Sequence, residues 1–214
     1  MQGCRGISCV GSPIAVVVYP HQIPPKPNVT SLLSFFPSKK AAIFLSRAFE
    51  PRSQTNLGLG YATSPVGPRY EICEHDWDFD TRVGWEHTMD YCRTIGILER
   101  INIDYVGRDK VRNYKALNNL WSASDALGIC LFSSAPTRVY SLEDMATLVR
   151  TITGWETSAY EVMRLGEMRN HIFRVYNNRE GLSAKDDKLP DRFFDEEIDF
   201  GLHKGVKLDR EKFE

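Results

Sequence analysis

Hydrophobic residues recur at helical intervals along several stretches of the chain. Across residues 85–98, Trp85, Met89, Cys92, Ile95 and Ile97 or Leu98 share one face, which predicts an amphipathic helix with Cys92 turned inward. Residues 106–121 repeat the pattern with Val111, Tyr114, Leu117, Leu120 and Trp121, with Arg, Lys and Asn between them. Ser141 precedes Leu142, Glu143 and Asp144, an N-cap followed by acidic residues in the first turn. Met145, Leu148, Val149 and Ile152 continue that helix as an apolar stripe, and Gly154 ends it. A longer helix is predicted over residues 157–177, from Tyr160 and Met163 through Ile172, Phe173 and Tyr176, with Gly181 as its stop. Residues 186–194 read as a turn into a short helix with Pro190 at its first position. Two stretches carry no such period. Residues 51–71, rich in Gly and Pro, read as a loop that presents Arg69, Tyr70 and Glu71, and the acidic, aromatic residues 77–83 read as another. No alternating apolar and polar run of useful length follows Glu50, so the predicted fold class is all-α.

Composition divides the chain. No Asp or Glu precedes Glu50, while Ser is frequent and prolines stand at positions 13, 20, 24, 25, 27 and 37. Residues 1–49 therefore read as a weakly structured, disordered tail, apart from a possible short helix over 41–49, and residues 50–214 as a packed helical domain. A length of 214 residues suits one such domain plus a tail. A formal net charge of -1 argues against a dedicated nucleic-acid binder. No apolar run approaches the roughly 18 residues needed to span a bilayer, so no membrane association is expected. Five cysteines (Cys4, Cys9, Cys73, Cys92 and Cys130) are odd in number and irregular in spacing, unlike a secreted disulfide framework. None forms a C-x-x-C pair, so the chain by itself offers no common four-thiolate metal site. His75, His87 and His171 lack ligand spacing and read as structural or surface residues.

One short segment combines groups that suit a redox ligand. Ser124-Asp125-Ala126-Leu127-Gly128-Ile129-Cys130 sets a carboxylate and a thiol about one and a half helical turns apart with a glycine between them. A thiolate ligates a soft metal or an iron–sulfur cluster. A carboxylate accepts hydrogen bonds from an N–H-rich ligand, and glycine lets that ligand approach the backbone. Each residue also has a plainer reading: Cys130 as a buried small hydrophobe, Asp125 as a helix cap or surface charge.

Four stretches occur in order: Gln54-Thr55-Asn56 through Tyr70-Glu71; Asp125 to Cys130; Thr153-Gly154-Trp155-Glu156 with Leu165-Gly166-Glu167; and Tyr176-Asn177-Asn178-Arg179-Glu180-Gly181 with Asp186-Asp187-Lys188-Leu189-Pro190-Asp191-Arg192-Phe193. Together they resemble the C-terminal part of the tungsten-containing aldehyde ferredoxin oxidoreductases. The resemblance covers about residues 50–214. It implies the all-α C-terminal helical fold of that family and part of a tungsten–bis-pterin centre. There an aldehyde is oxidised to a carboxylate, with electrons leaving through a [4Fe–4S] cluster to ferredoxin in the cytoplasm. In these terms Asp125 hydrogen-bonds a pterin, the backbone of Leu127, Gly128 and Ile129 lines it, and Cys130 is one of four cluster ligands. Tyr70 and Glu71 become the catalytic candidates; many relatives carry a His where Tyr70 stands. The family's C-x-x-C-x-x-x-C run, its β-rich N-terminal pterin-binding domain and its other Asp-x-x-Gly segment have no counterpart in this sequence. The expected partners thus include a chain or domain that supplies them. Alternative readings are a non-catalytic fragment, a helical binding module, or one half of a split enzyme.

Overall fold

The structure is a computed structural model that describes residues 49–72, 75–82, 84, 86–133 and 139–213. The predicted tail up to residue 48, Cys73 and Trp85 lie outside the described residues. Those described fall within one compact unit, Ser38–Glu214. In chain order the helices are α1 (Thr55–Thr63), α2 (Thr88–Cys92), α3 (Arg108–Leu127), α4 (Leu142–Thr153), α5 (Ala159–Arg179), α6 (Arg192–Asp195) and α7 (Arg210–Phe213), joined by turns and short 3-10 segments. No strand occurs among the described residues, as the missing alternation predicts.

The second half follows its local signals. Ser141 caps α4 in a reciprocal box with Asp144, and Gly154 closes it in the left-handed region at φ 71°. Ser158 and Glu161 form the same box at the start of α5. Earlier in the chain the helix predicted over 85–98 is shorter: α2 covers Thr88–Cys92, a 3-10 turn follows to Ile95, Gly96 turns left-handed and Leu98 is exposed, while Cys92 is buried as its period requires. Helix α6 begins at Arg192, with Asp191 as its N-cap, so Pro190 precedes the first turn instead of opening it.

The first half departs from its local signals. The expected loop over 51–71 contains α1, buried from Thr55 to Tyr61. A helix enclosed on every side shows no amphipathic stripe, so its sequence carries no period. Its glycines serve packing: a Cβ on Gly60 would lie 2.4 Å from Ile72 Cδ1. The first turn of α1 is stabilised from outside, since the Asp76 carboxylate accepts from the Asn56 amide at 2.7 Å. Thr55 Oγ1 also donates to the Ile103 carbonyl at 2.9 Å.

Helix α3 joins two apolar cores. Leu117 belongs to a cluster with Leu57, Cys92, Ile97 and Phe193. One turn on, Leu120, Trp121 and Ala123 belong to another with Met145, Ala146 and Val162. It packs most extensively on α5.

The acidic stretch around Trp77 holds two buried carboxylates. Asp76 pairs with Lys110 in the interior, and Lys110 Nζ also donates to the Asn102 carbonyl at 2.8 Å. Asp80 accepts from the Ile103 amide at 2.9 Å and from Arg82 through its amide and guanidinium. The Arg82 bond and those amides hold the Asp80 carboxyl far below the usual carboxylate range, against a smaller effect of burial. A depressed folded-state pKa contributes stability above the unfolded value near 3.9 and loses it as pH falls toward the folded one. Wild type should therefore weaken faster than Asp80→Asn as pH is lowered from about 5 to 2. Chemical denaturation at several pH values checks this; a stability difference constant across that window refutes it.

A candidate cofactor-contact site at the end of α3

Helix α3 extends past its predicted end and takes in Ser124 to Leu127. Gly128 then turns left-handed at φ 70°, and the Ile129 amide reaches back to the Ser124 carbonyl at 2.9 Å while the Gly128 amide reaches Asp125 O at 3.3 Å. This pair of bonds is a Schellman cap. Leu127 and Ile129 pack against the second core and anchor the turn. A side chain at Gly128 would be strained by that φ, and the space its Cβ would enter is open, with no atom within 4 Å. The turn thus offers an uncovered stretch of backbone.

Asp125 stands in the last turn of α3, where the helix dipole disfavours an acid. Its carboxylate is 35% exposed and meets Arg169 Nη2 of α5 at 3.2 Å. Arg169 is itself held, by Ser122 Oγ at 3.3 Å and by the face of Phe173 at 4.9 Å. The carboxylate is therefore oriented and partly neutralised while remaining accessible. Cys130 is exposed and free, not buried as its plainer reading has it. Its carbonyl accepts from the Ser133 amide at 2.9 Å and from Ser133 Oγ at 2.8 Å, fixing the next turn. Phe132 beside it is 68% exposed.

The other predicted residues divide. Glu71 shares a tight cleft with Asp125, Arg69, Arg169 and Asn118, with about 20 Å³ of room, enough for one water. Arg69 Nε faces Glu71 Oε2 at 3.5 Å. Tyr70 does not line that cleft. It is half-buried, edge-on to Phe49 at 5.4 Å and His75 at 6.4 Å. Two roomier clefts, about 210 Å³ behind Gly67 and about 800 Å³ beside Trp77 and Phe200, have none of residues 125–130 in their walls. Arg169 is not among the candidates from sequence: it is one of several cations along α5, and only the packing of α5 on α3 brings it to Asp125.

The donor set fits an N–H-rich ring system: an oriented, accessible carboxylate beside bare backbone. For a metal cluster the fit is to one ligand only. Among the described residues Cys92 is buried, and no group of three or more His, Cys, Asp or Glu side chains is arranged to hold a metal ion.

The chain is similar to known proteins over most of its length. Residues 45–214 match the family described as aldehyde ferredoxin oxidoreductase, domains 2 and 3. The tungsten-containing aldehyde ferredoxin oxidoreductases of Pyrococcus furiosus and Thermococcus kodakarensis are each 28% identical over 162 residues, covering 74% of this chain and 24% of each relative. That of Pyrococcus horikoshii is 26% identical over the same length. The chain thus spans about a quarter of the length of these relatives. With more than three-quarters of its residues matched, the chain belongs to the aldehyde ferredoxin oxidoreductase family, as a representative of its helical C-terminal domains.

Proposed function

We propose that this chain supplies one wall of a tungsten–bis-pterin centre and one thiolate of a neighbouring [4Fe–4S] cluster, within a cytoplasmic enzyme that oxidises aldehydes. The observation that carries the reading is the Schellman turn at Gly128. It leaves a carboxylate on one side and a thiol on the other of an open backbone. Asp125 accepts hydrogen bonds from the ring N–H groups, Gly128 admits the ring to the backbone, and the peptide groups of Leu127 and Ile129 line it. Cys130, deprotonated, serves as one cluster ligand. Such a centre, when bound, supplies the two-electron oxidation of an aldehyde and water to a carboxylic acid, with two protons released and the electrons passed to ferredoxin. Glu71 accepts a proton at its carboxylate, a role supported by the cleft it shares with Asp125. Tyr70 donates through Oη to a substrate carbonyl once its ring turns from Phe49 and His75. The remaining cluster thiolates and the β-rich pterin-binding portion come from sequence outside this chain, as its quarter-length match to relatives supports.

The test is anaerobic co-purification of the chain with that complementary portion. Asp125→Ala is expected to lower tungsten and pterin content about tenfold, and Cys130→Ser to lower iron, with helical circular dichroism unchanged in both. Full metal content in both variants, or early melting in place of metal loss, overturns the reading. A second reading, a helical binding module without chemistry, is favoured by the exposed Ile152, Trp155 and Tyr160 at the junction of α4 and α5. Full metal content together with capture of a partner lacking the pterin-binding portion would support it.

A further inference from the structure

Helix α5 carries a polar stripe, turned toward α3 and the 63–72 segment, of which the site described above uses only Arg169. Arg169, Asn170, Arg174 and Asn177 are spaced at one, four and three residues, so they share a face. Each reaches a different part of the site's framework. Arg169 holds the Asp125 carboxylate. Asn170 Nδ2 donates to Asn118 Oδ1 at 2.7 Å, and Asn118 Nδ2 donates to the Ile72 carbonyl at 2.8 Å. Arg174 donates to the Thr63 carbonyl and pairs with Asp187 at 2.8 Å. Asn177 Nδ2 donates to the Pro65 carbonyl at 2.7 Å. The segment from Thr63 to Ile72, which bears Arg69, Tyr70 and Glu71, is thus pinned at its start to α5, the helix that also holds Asp125, and at its end to Asn118 of α3, backed by Asn170 of α5.

An apolar stripe would bury the same area with less directional demand. Amides and guanidinium groups facing backbone carbonyls are satisfied in one arrangement only. The carbonyls concerned stand at the end of α1, just beyond it and at the end of a short 3-10 segment, where a lost donor has no intrahelical partner to replace it. We propose that Asn177 and Asn118, backed by Asn170 and Arg174, are positioning residues. They fix the 63–72 segment against the end of α3, so that Glu71 faces Asp125. The importance of that alignment for chemistry rests on the function proposed above; the alignment itself does not.

Hydrogen exchange on the full chain tests it. The Ser64 amide is bonded to Gly60 O at 2.9 Å, the Val66 amide to Ser64 Oγ at 3.3 Å and the Gly67 amide to Ser64 O at 3.4 Å, so the segment offers protected reporters. Losing one donor to a carbonyl should speed their exchange about tenfold in Asn177→Ala, and speed exchange toward residue 72 similarly in Asn118→Ala. Amides within α3 and α5 should keep their rates. Asn177→Asp keeps the size of the side chain but cannot donate when ionised, and is expected to loosen the segment as the alanine does. Unchanged exchange in the alanine variants, wild-type behaviour of Asn177→Asp, or loosening spread evenly through α3 and α5 overturns the proposal. Aldehyde oxidation by the assembled complex then separates the two ideas. Loosening with a fall in turnover supports both. Loosening with full turnover and full tungsten content leaves the positioning role standing and refutes the roles given to Glu71 and Tyr70.

Discussion

Lys110→Met is expected to destabilise the chain by about 3–5 kcal/mol, the cost of leaving a buried charge without its partner. Asp76 and Lys110 are both fully enclosed. The pair joins the turn at Asp76–Asp78 to the first turns of α3, and the same carboxylate holds the start of α1 through the Asn56 amide. Burial already pushes the Asp76 carboxyl above its ordinary value, with Lys110 acting in the opposite direction. Without Lys110 only the Asn56 amide opposes that upward push. A raised folded-state pKa costs nothing below the unfolded value near 3.9 and its full amount above the folded one. The deficit of Lys110→Met should therefore grow as pH rises from about 4. Against a total stability of about 5–15 kcal/mol, such a loss leaves the variant marginal at neutral pH. The double variant Asp76→Asn with Lys110→Met removes both charges and should recover most of the loss. Urea unfolding followed by circular dichroism checks all three chains; a deficit below about 1 kcal/mol in the single variant would show that the pair is not buried as described.

Gly166→Ala should lower stability by about 3 kcal/mol, the upper end of what overpacking costs. On an open helix the same change would raise stability by about 1 kcal/mol, so its sign is diagnostic. A Cβ at Gly166 would lie 1.8 Å from the Asn119 carbonyl oxygen and 2.8 Å from the Ala123 nitrogen. Both are backbone atoms of α3 and neither can rotate away. The two helices would have to part by more than 1 Å to bring the shorter contact to 3.0 Å. In a chain of this size a loss of that order lowers Tm by about 6–12 °C. A Tm equal to or above wild type would mean that α3 and α5 do not meet at this glycine.

What could be read from sequence depended on where each element's stability comes from. Helices α4 and α5 announce themselves because serine caps and terminal glycines act within a few residues; their apolar stripes do not mark the buried face, since Ile152, Tyr160, Ile172 and Tyr176 are exposed. Helix α1 does not: its glycines, its missing side-chain cap and its enclosure by Ile72, Leu189 and Phe213 are visible only after folding. The burial of Asp76, just before the loop expected over 77–83, is not legible because its counter-charge stands 34 residues away. Asp125 and Cys130 were legible as a chemical pair, since residue type and spacing are local. Their setting was not: Arg169 and the exclusion of Tyr70 from the cleft with Glu71 depend on how α3, α5 and the 63–72 segment meet.

The polar stripe on α5 also limits how this chain can change length. A residue added or removed between Gly166 and Asn177 turns everything beyond it through about 100°. Depending on where it falls, such a change carries Asn177, or Arg169 and Asn170, off the face that meets α3 and the 63–72 segment, and separates the closest-packed glycine from the donors that follow it. The connection from Gly154 to Ser158 carries no such phase, because Ser158 starts a new helix with its own cap. Variation in length among related chains is therefore expected to collect in the connections and to spare the middle of α5, where the geometry is counted in turns of the helix.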